Sequence, residues 1–418
     1  MKESLQQNIL SNNRKNKYYI RAIIAAVILL VLIAFELFRS GGYFDEILGV
    51  VSILYLVFLN SKIERRDATT IMLLLLAVVI GIVSNLISGL VHSVKSIGID
   101  LIIETKIILT FLMMKYFVND NEKTAIINAF VPLAKLFTVA SFICGIISQF
   151  TNIGMTTGER YGLKSFKFIF DFNHQYFAVY VLVFGVLVCN TIMKENIRSR
   201  YFVIAIIAIL FSTKAPALIF TTVFVGLYFY FKNHKRIEPW VIVIGAIAFV
   251  FVGWFQINEY LINDETPRRM FFEYGFKTAN TYFPLGSGFS TFGSGEAAKN
   301  YSPLYYQYGW ENKFGMSPTD TAFLNDTYWP SLLGQFGYIG LLLYVVVYFR
   351  LFKSIDNKDF SNTRRAFLYG AYLQYMVHAF GSAILSSSAG MIGFMALSLF
   401  TVSNPDENKN SGRLKIHF

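Results

Sequence analysis

Stretches of about twenty apolar residues recur along this chain, each long enough to cross a hydrocarbon layer roughly 30 Å thick as a helix. They fall at 19–38, 43–60, 70–90, 98–118, 124–148, 173–192, 201–213, 215–231, 239–256, 328–349, 365–384 and 388–403. Such a pattern excludes an ordinary soluble domain. With 418 residues, 55% hydrophobic and only 15% charged, the composition agrees. The first run lacks a small-residue cleavage pattern and reads as a retained anchor rather than a removed signal.

A net charge of +11 raises nucleic acid as a partner, but the distribution of the cations argues against it. Basic residues gather in alternate short links, such as Lys62, Arg65 and Arg66, or Lys194, Arg198 and Arg200, or Lys353, Lys358, Arg364 and Arg365. That asymmetry marks the cytoplasmic side of a membrane protein and places both ends of the chain there. Cys144 and Cys189 fall inside apolar runs and are expected to fill the core rather than form a disulfide. The expected fold is all-α: one polytopic membrane domain over 1–418, with about twelve spans. A large external, partly helical cap at 257–327 separates the ninth and tenth spans.

One apolar stretch does not fit a single crossing. Residues 201–231 would form a helix of roughly 46 Å at 1.5 Å per residue, yet cytoplasmic-type cations flank both ends. Two short helices meeting at Ser212-Thr213-Lys214-Ala215-Pro216 resolve this, with Pro216 suited to the first turn of the second. The turn then lies at membrane depth, tolerable where it lines protein or a wet cavity. Lys214 would sit at the positive end of a helix dipole, a place that suits an anion. The competing reading is a lysine snorkelling from one tilted helix.

The external segment repeats this logic. Thr266-Pro267 reads as a helix start, with Arg268 and Arg269 where acidic residues are usual. Either these arginines pair locally with Asp264 and Glu265, or they await a phosphate, which guanidinium groups bind bidentately. The glycine-punctuated run from Pro284 to Gly293 lacks the flanking strand and helix of a dinucleotide site. Tyr301, Tyr305, Tyr306, Tyr308 and Trp310 could stack on sugar faces or line a headgroup boundary.

Asp320 and Asp326 are candidate general bases or helix caps. His174 is a further candidate for the site or a structural histidine. Arg160, Lys164 and Lys167 form a basic stripe in the other long outer loop, either solvated or facing a lipid phosphate. Glu104 and Lys106 in the fourth span are expected to pair with neighbouring helices. The sequence contains no H-E-x-x-H, phosphate-binding Walker loop or clustered Cys/His set, so no metal and no cofactor are expected.

FSTKAP in the broken span, then PRRM, YFPLGSGFSTFGS, YSPLYYQYG and NDTYWPSLLGQFGYIGLLLY, taken in order, resemble bacterial capsular-polysaccharide and O-antigen polymerases. These belong with the O-antigen ligases in one superfamily. The specific likeness lies within about 150–340. The resemblance implies a metal-independent inverting glycosyltransferase using a polyprenyl-diphosphate-linked oligosaccharide. It would act on the outer face of the bacterial cytoplasmic membrane, extending the next lipid-linked repeat unit, with a chain-length regulator as a candidate partner. By position, Lys214 matches the family's basic residue of the broken span, Arg268 or Arg269 its arginine before the external helix, and Arg160 a basic residue of the earlier loop. Asp326 stands where ligase relatives place a histidine. That departure favours polymerase over a ligase acting on lipid A core or protein. A flippase for the same lipid is the other rival, and the gathering of polar residues in one external cap, rather than charges spread over many spans, speaks against it.

Overall fold

The computed structural model describes residues 20–36, 42–58, 63–192, 195–234, 238, 266–357 and 359–402. The ninth apolar run, 239–256, lies outside them, as do Asp264 and Glu265. Helix α1 covers 20–36, followed by α2 (Phe44–Phe58), α3 (Arg65–Ser88), α4 (Val94–Phe117) and α5 (Asp120–Phe150). Helices α6 (Asn173–Cys189), α7 (Glu195–Leu210) and α8 (Ala215–Asn233) precede the cap helix α9 (Pro267–Thr281). Two one-turn helices, α10 (Gly295–Lys299) and α11 (Pro303–Gln307), complete the cap before α12 (Trp329–Ile355), α13 (Asn362–His378) and α14 (Ser388–Phe400).

The protein is therefore mostly helical, with one departure from an all-α expectation. Between α5 and α6 a two-stranded antiparallel hairpin forms, β1 (Thr156–Arg160) and β2 (Leu163–Phe166). Gly162, at φ +75°, sits in its turn. The strands are too short for a clear alternation of apolar and polar residues, which hid them in the sequence.

Among the described residues four helices are long and apolar enough to cross a membrane: α3, α5, α8 and α12. Helices α6 and α14 are apolar but shorter. On the outer face of α3, Met72, Leu75, Leu76 and Val79 stand exposed, an apolar surface that suits lipid rather than water. Helix α4 is different because charge is buried inside it. Lys106 Nζ lies 2.5 Å from Asp45 Oδ2 and 2.9 Å from Glu46 Oε1 of α2, as the expectation of pairing with a neighbouring helix required. Glu104 instead lies beside Tyr328, whose hydroxyl contacts that of Tyr348 at 3.0 Å. Of the cysteines, Cys189 is buried and Cys144 half-buried, neither in a disulfide.

Main packings are α2 on α4, α4 on α14, α3 on α12, α9 on α12, and α8 on α13. The basic ends of α3 and α12 meet: Arg66 donates to the Lys353 carbonyl at 3.2 Å, and Arg350 to the Arg66 carbonyl at 2.7 Å. Lys115, near the end of α4, joins them through Asp67 at 2.5 Å. These cations thus share one end of the bundle, and the cap covers the other.

The glycine run Pro284–Gly293 is buried as a plug between α3 and α12. Ser287 and Gly288 N–H groups donate to the Gly334 and Gln335 carbonyls at 3.0 and 2.7 Å. The Asn85 side chain holds Phe289 from both sides, donating to its carbonyl at 2.9 Å and accepting its N–H at 2.8 Å. A side chain at Gly288 (φ +96°) would meet the Asn85 backbone at 2.6 Å. Gly337, at φ +60°, kinks α12 where the Pro284 carbonyl presses against it. The glycines serve this close approach.

Candidate functional site

Lys214 stands in a break between α7 and α8, where Thr213 adopts φ +49° and Pro216 enters the first turn of α8. A dense polar contact holds the break. Phe166 N–H donates to the Phe211 carbonyl at 2.8 Å, and the Ser165 hydroxyl contacts that of Thr213. Asn173 Nδ2 bridges Ser165 Oγ at 3.1 Å and the Ser212 carbonyl at 3.2 Å. Tyr176 donates to the Ala208 carbonyl at 2.9 Å. The hairpin and the start of α6 thereby clamp the turn and aim Lys214 at the cap end. Lys214 itself supplies no side-chain cap to α8.

Arg268 is brought to the same place by α9. Thr266 occupies the N-cap position with extended backbone, without a side-chain capping bond, and Pro267 opens the helix. Arg268 Nε donates to Asp326 Oδ2 at 2.8 Å. Asp326 is not the cap of α12, because Tyr328 holds that position. Its role is the ion pair. The pairing expected with Asp264 and Glu265 lies outside the described residues.

Electrostatics tie these groups to two more. Burial, then the positive charges of Arg160 and Arg268, lower the Lys214 ammonium to about 8, with Asp326 pulling the other way. Burial raises the Asp326 carboxyl, and Arg268 and Lys214 draw it back. His378, the last residue of α13, lies in the field of His174, Lys214 and Arg268. The chain after α13 docks on the start of α12 through Tyr328 N–H to the Ala379 carbonyl at 3.0 Å and Trp329 Nε1 to the Met376 carbonyl at 2.9 Å. A side chain at Gly381 would touch Arg268 Cδ at 3.8 Å. Sequence reasoning missed His378. Its only signal was a histidine inside the apolar run 365–384.

The cluster thus gathers Arg160, Lys214, Arg268, Asp326, His174 and His378 from six separate segments. His174, the second residue of α6, is exposed and stacks on Phe172 at 5.3 Å. Arg269 is half-buried on α9, but the arginine charges acting on Lys214 are those of Arg160 and Arg268. Lys164 is fixed by its backbone to the Gln149 side chain, at 2.9 and 3.0 Å.

Two further sets of candidates stand apart from the cluster. Asp320 is exposed and closes its own turn, accepting the Ala322 N–H at 3.3 Å. Tyr301 and Tyr305 cannot stack on a sugar because they form the cap's own core with Phe271, Phe292 and Trp310. Tyr305 stacks on Trp310 at 5.1 Å and accepts the Gly293 N–H at 2.8 Å; Tyr301 donates to the Met316 carbonyl at 3.0 Å. Burial pushes both phenols up, Tyr301 to about 12. Tyr306 alone of the three stays exposed.

Three cations against one carboxylate leave the cluster positive, an arrangement suited to an anion carrying more than one charge. Among the described residues no group of three or more His, Cys, Asp or Glu could hold a metal ion. No protein-family model matches the sequence, and a search of the curated proteins finds no match.

Proposed function

We propose that this chain is a polysaccharide polymerase of the O-antigen or capsule type, with about twelve spans in the bacterial cytoplasmic membrane. The described cap and the cluster beneath it face outward, and the basic ends of α3, α4 and α12 face the cytoplasm. The reading is supported above all by the convergence of Lys214, Arg268 and Arg160 on one place. Three chain segments far apart in sequence bring their cations together, an arrangement that repels itself unless an anion joins it.

In the proposed reaction, the donor's diphosphate lies against Lys214, Arg268 and Arg160. The acceptor hydroxyl oxygen bonds to the donor's anomeric carbon as the bond from that carbon to the diphosphate oxygen breaks. The diphosphate leaves with the electron pair, its growing charge held by the three cations in a partly dry site. The hydroxyl proton passes to the Asp326 carboxylate or to His378. Direct displacement inverts the anomeric centre. The donor supplies its own leaving group, so neither a nucleotide nor a metal enters the scheme. Membrane lipid and the lipid-linked oligosaccharide are the partners, with a chain-length regulator as a further one.

A ligase is the second reading, favoured by the arrival of His174 and His378 at the cluster, which supplies an imidazole although Asp326 replaces the expected histidine. Deleting the gene and analysing lipid-linked glycans separates the readings. Polymerase loss leaves single repeats on lipid; ligase loss leaves long lipid-linked chains. Normal surface glycan with normal chain length contradicts both.

A further inference from the structure

Helix α12 is two limbs rather than one rod. Tyr328 and Tyr348 are 20 residues apart, roughly 30 Å along a straight helix, yet their hydroxyls lie 3.0 Å apart. The Trp329 and Tyr348 rings are likewise 5.7 Å apart. The chain therefore doubles back at Gly337, whose φ +60° and ψ −163° leave the helical region. Helix α9 follows the same rise. Near its end Asn280 Oδ1 accepts the Tyr338 hydroxyl at 2.8 Å beside the turn, while at its start Arg268 reaches Asp326 at 2.8 Å. The longer limb continues to Arg350, tied to Arg66 at the cation-rich end of the bundle. Arg268, Asp326 and Trp329 thus lie deep beside that limb, roughly 16 Å in from Gly337.

At that depth an aromatic surface adjoins the cluster. Phe272, one turn after Arg268 on α9, lies parallel to Phe380, with ring centroids 6.4 Å apart and an interplanar angle of 3°. Phe380 meets Trp329 at 6.1 Å. Phe380 is 51% exposed, and Phe272 and Trp329 are half-buried. The join to the cations is direct. A side chain at Gly381, the residue after Phe380, would touch Arg268 Cδ at 3.8 Å, and Trp329 closely follows the Asp326 that holds Arg268. Leu373, earlier on α13, is exposed as well and carries the apolar surface further along that helix.

The chemistry of this surface selects its ligand. Phe272 and Phe380 carry no polar side-chain atom, and the Trp329 indole N–H is spent on the Met376 carbonyl at 2.9 Å. A sugar laid on the three rings would find no partner there for its hydroxyls. A hydrocarbon chain needs none, and in lipid surroundings it gains close packing against rigid rings. Cations continuous with an apolar wall fit an amphiphile, its charged head at Arg268 and its chain on the rings.

We propose that Phe272, Trp329 and Phe380 seat the hydrocarbon chain that adjoins the diphosphate, so that the site recognises the lipid part of its ligand and not the diphosphate alone. The inference rests on reading the cationic cluster as a diphosphate site. It does not depend on whether the chain polymerises glycan.

The test compares binding of inorganic pyrophosphate and farnesyl diphosphate to the full chain purified in detergent. Wild type is expected to bind farnesyl diphosphate about tenfold or more tightly than pyrophosphate. Phe380→Ala, at an exposed position, is expected to weaken farnesyl diphosphate about fivefold and leave pyrophosphate unchanged, whereas Phe380→Leu keeps an apolar side chain and should retain most of the preference. Equal wild-type affinity for the two ligands overturns the inference and leaves the diphosphate site standing. So does an equal loss of both in Phe380→Ala, which would make the ring a support for Arg268, or an unchanged preference with weakened binding of acceptor glycan. Failure of wild type to bind either ligand overturns the diphosphate reading and this inference with it.

Discussion

Arg268 and Asp326, 58 residues apart in sequence, are joined by a 2.8 Å ion pair at the edge of the cap. Their side chains are 24% and 30% exposed, so the pair itself is worth little to folding, about 0–1 kcal/mol. Its consequence is orientation. Asp326 fixes the Arg268 guanidinium in the field of Lys214, and in the proposed reaction it would itself stay within reach of an acceptor bound beside the donor.

Arg268→Ala is therefore expected to leave the melting temperature nearly unchanged while cutting polymer formation about 100-fold or more, as for loss of a preorganised charge at a transition state. Lys214→Glu is expected to abolish polymer and accumulate single-repeat lipid. Lys214→Arg retains a cation and should retain much of the activity. Gel analysis of surface glycan, with extraction of lipid-linked intermediates, reads all three.

The two aspartates separate cleanly. Asp326→Asn is expected to lower turnover by about 100- to 10,000-fold, the range for loss of a general base. Asp320→Asn, which touches only a surface turn, should behave as wild type. If Asp320→Asn were the damaging variant, the site would have to be redrawn around the exposed turn. Should Asp326→Asn keep substantial activity, His378→Asn becomes the decisive variant for the proton acceptor.

Lys214 also predicts a pH dependence. Its folded-state value, about 8, is below the ordinary lysine value of 10.5, so between these limits the unfolded chain binds more protons than the folded one. The penalty of holding a buried ammonium is present in full below about 8 and is relieved as pH rises toward 10.5. Stability should accordingly rise slightly across that window. Donor affinity should fall across the same window as the ammonium is lost, and Lys214→Arg should remove that fall. Binding of a polyprenyl diphosphate followed from pH 6 to 10 checks the sign.

The cap tyrosines predict a loss of stability rather than of sugar binding. Tyr305→Ala empties a fully buried position in the cap core and should cost about 3–5 kcal/mol. Tyr305→Phe removes only the hydroxyl that accepts the Gly293 N–H, a change of about 1 kcal/mol, and should leave glycan recognition intact. Chemical denaturation and acceptor affinity, measured together, distinguish this from a stacking platform.

Much of the architecture was legible because it rests on local pattern. Apolar run length announced the helices, and Pro216 and Pro267 announced the starts of α8 and α9. The break at Lys214 followed from a run too long for one crossing between two cytoplasmic-type ends. What escaped depends on tertiary contact. Tyr305 looks the same in a sequence whether it faces a sugar or Trp310. The hairpin at Thr156–Phe166 is too short to carry a period. His378 joins the cluster only because the chain after α13 docks on Trp329. Trp329 and Tyr348 meet only because α12 doubles back at Gly337, which no spacing in the sequence reveals.

The central claim, that cations from separate segments form one diphosphate site, is tested most directly by a double-mutant cycle. Affinity of a polyprenyl diphosphate for the purified chain would be measured in wild type, Lys214→Ala, Arg268→Ala and the double variant. The account predicts at least tenfold weakening in each single variant and a double variant clearly weaker or stronger than the summed effects, since contacts to one ligand group couple. Wild-type affinity in both single variants, or strictly additive small losses, would contradict it.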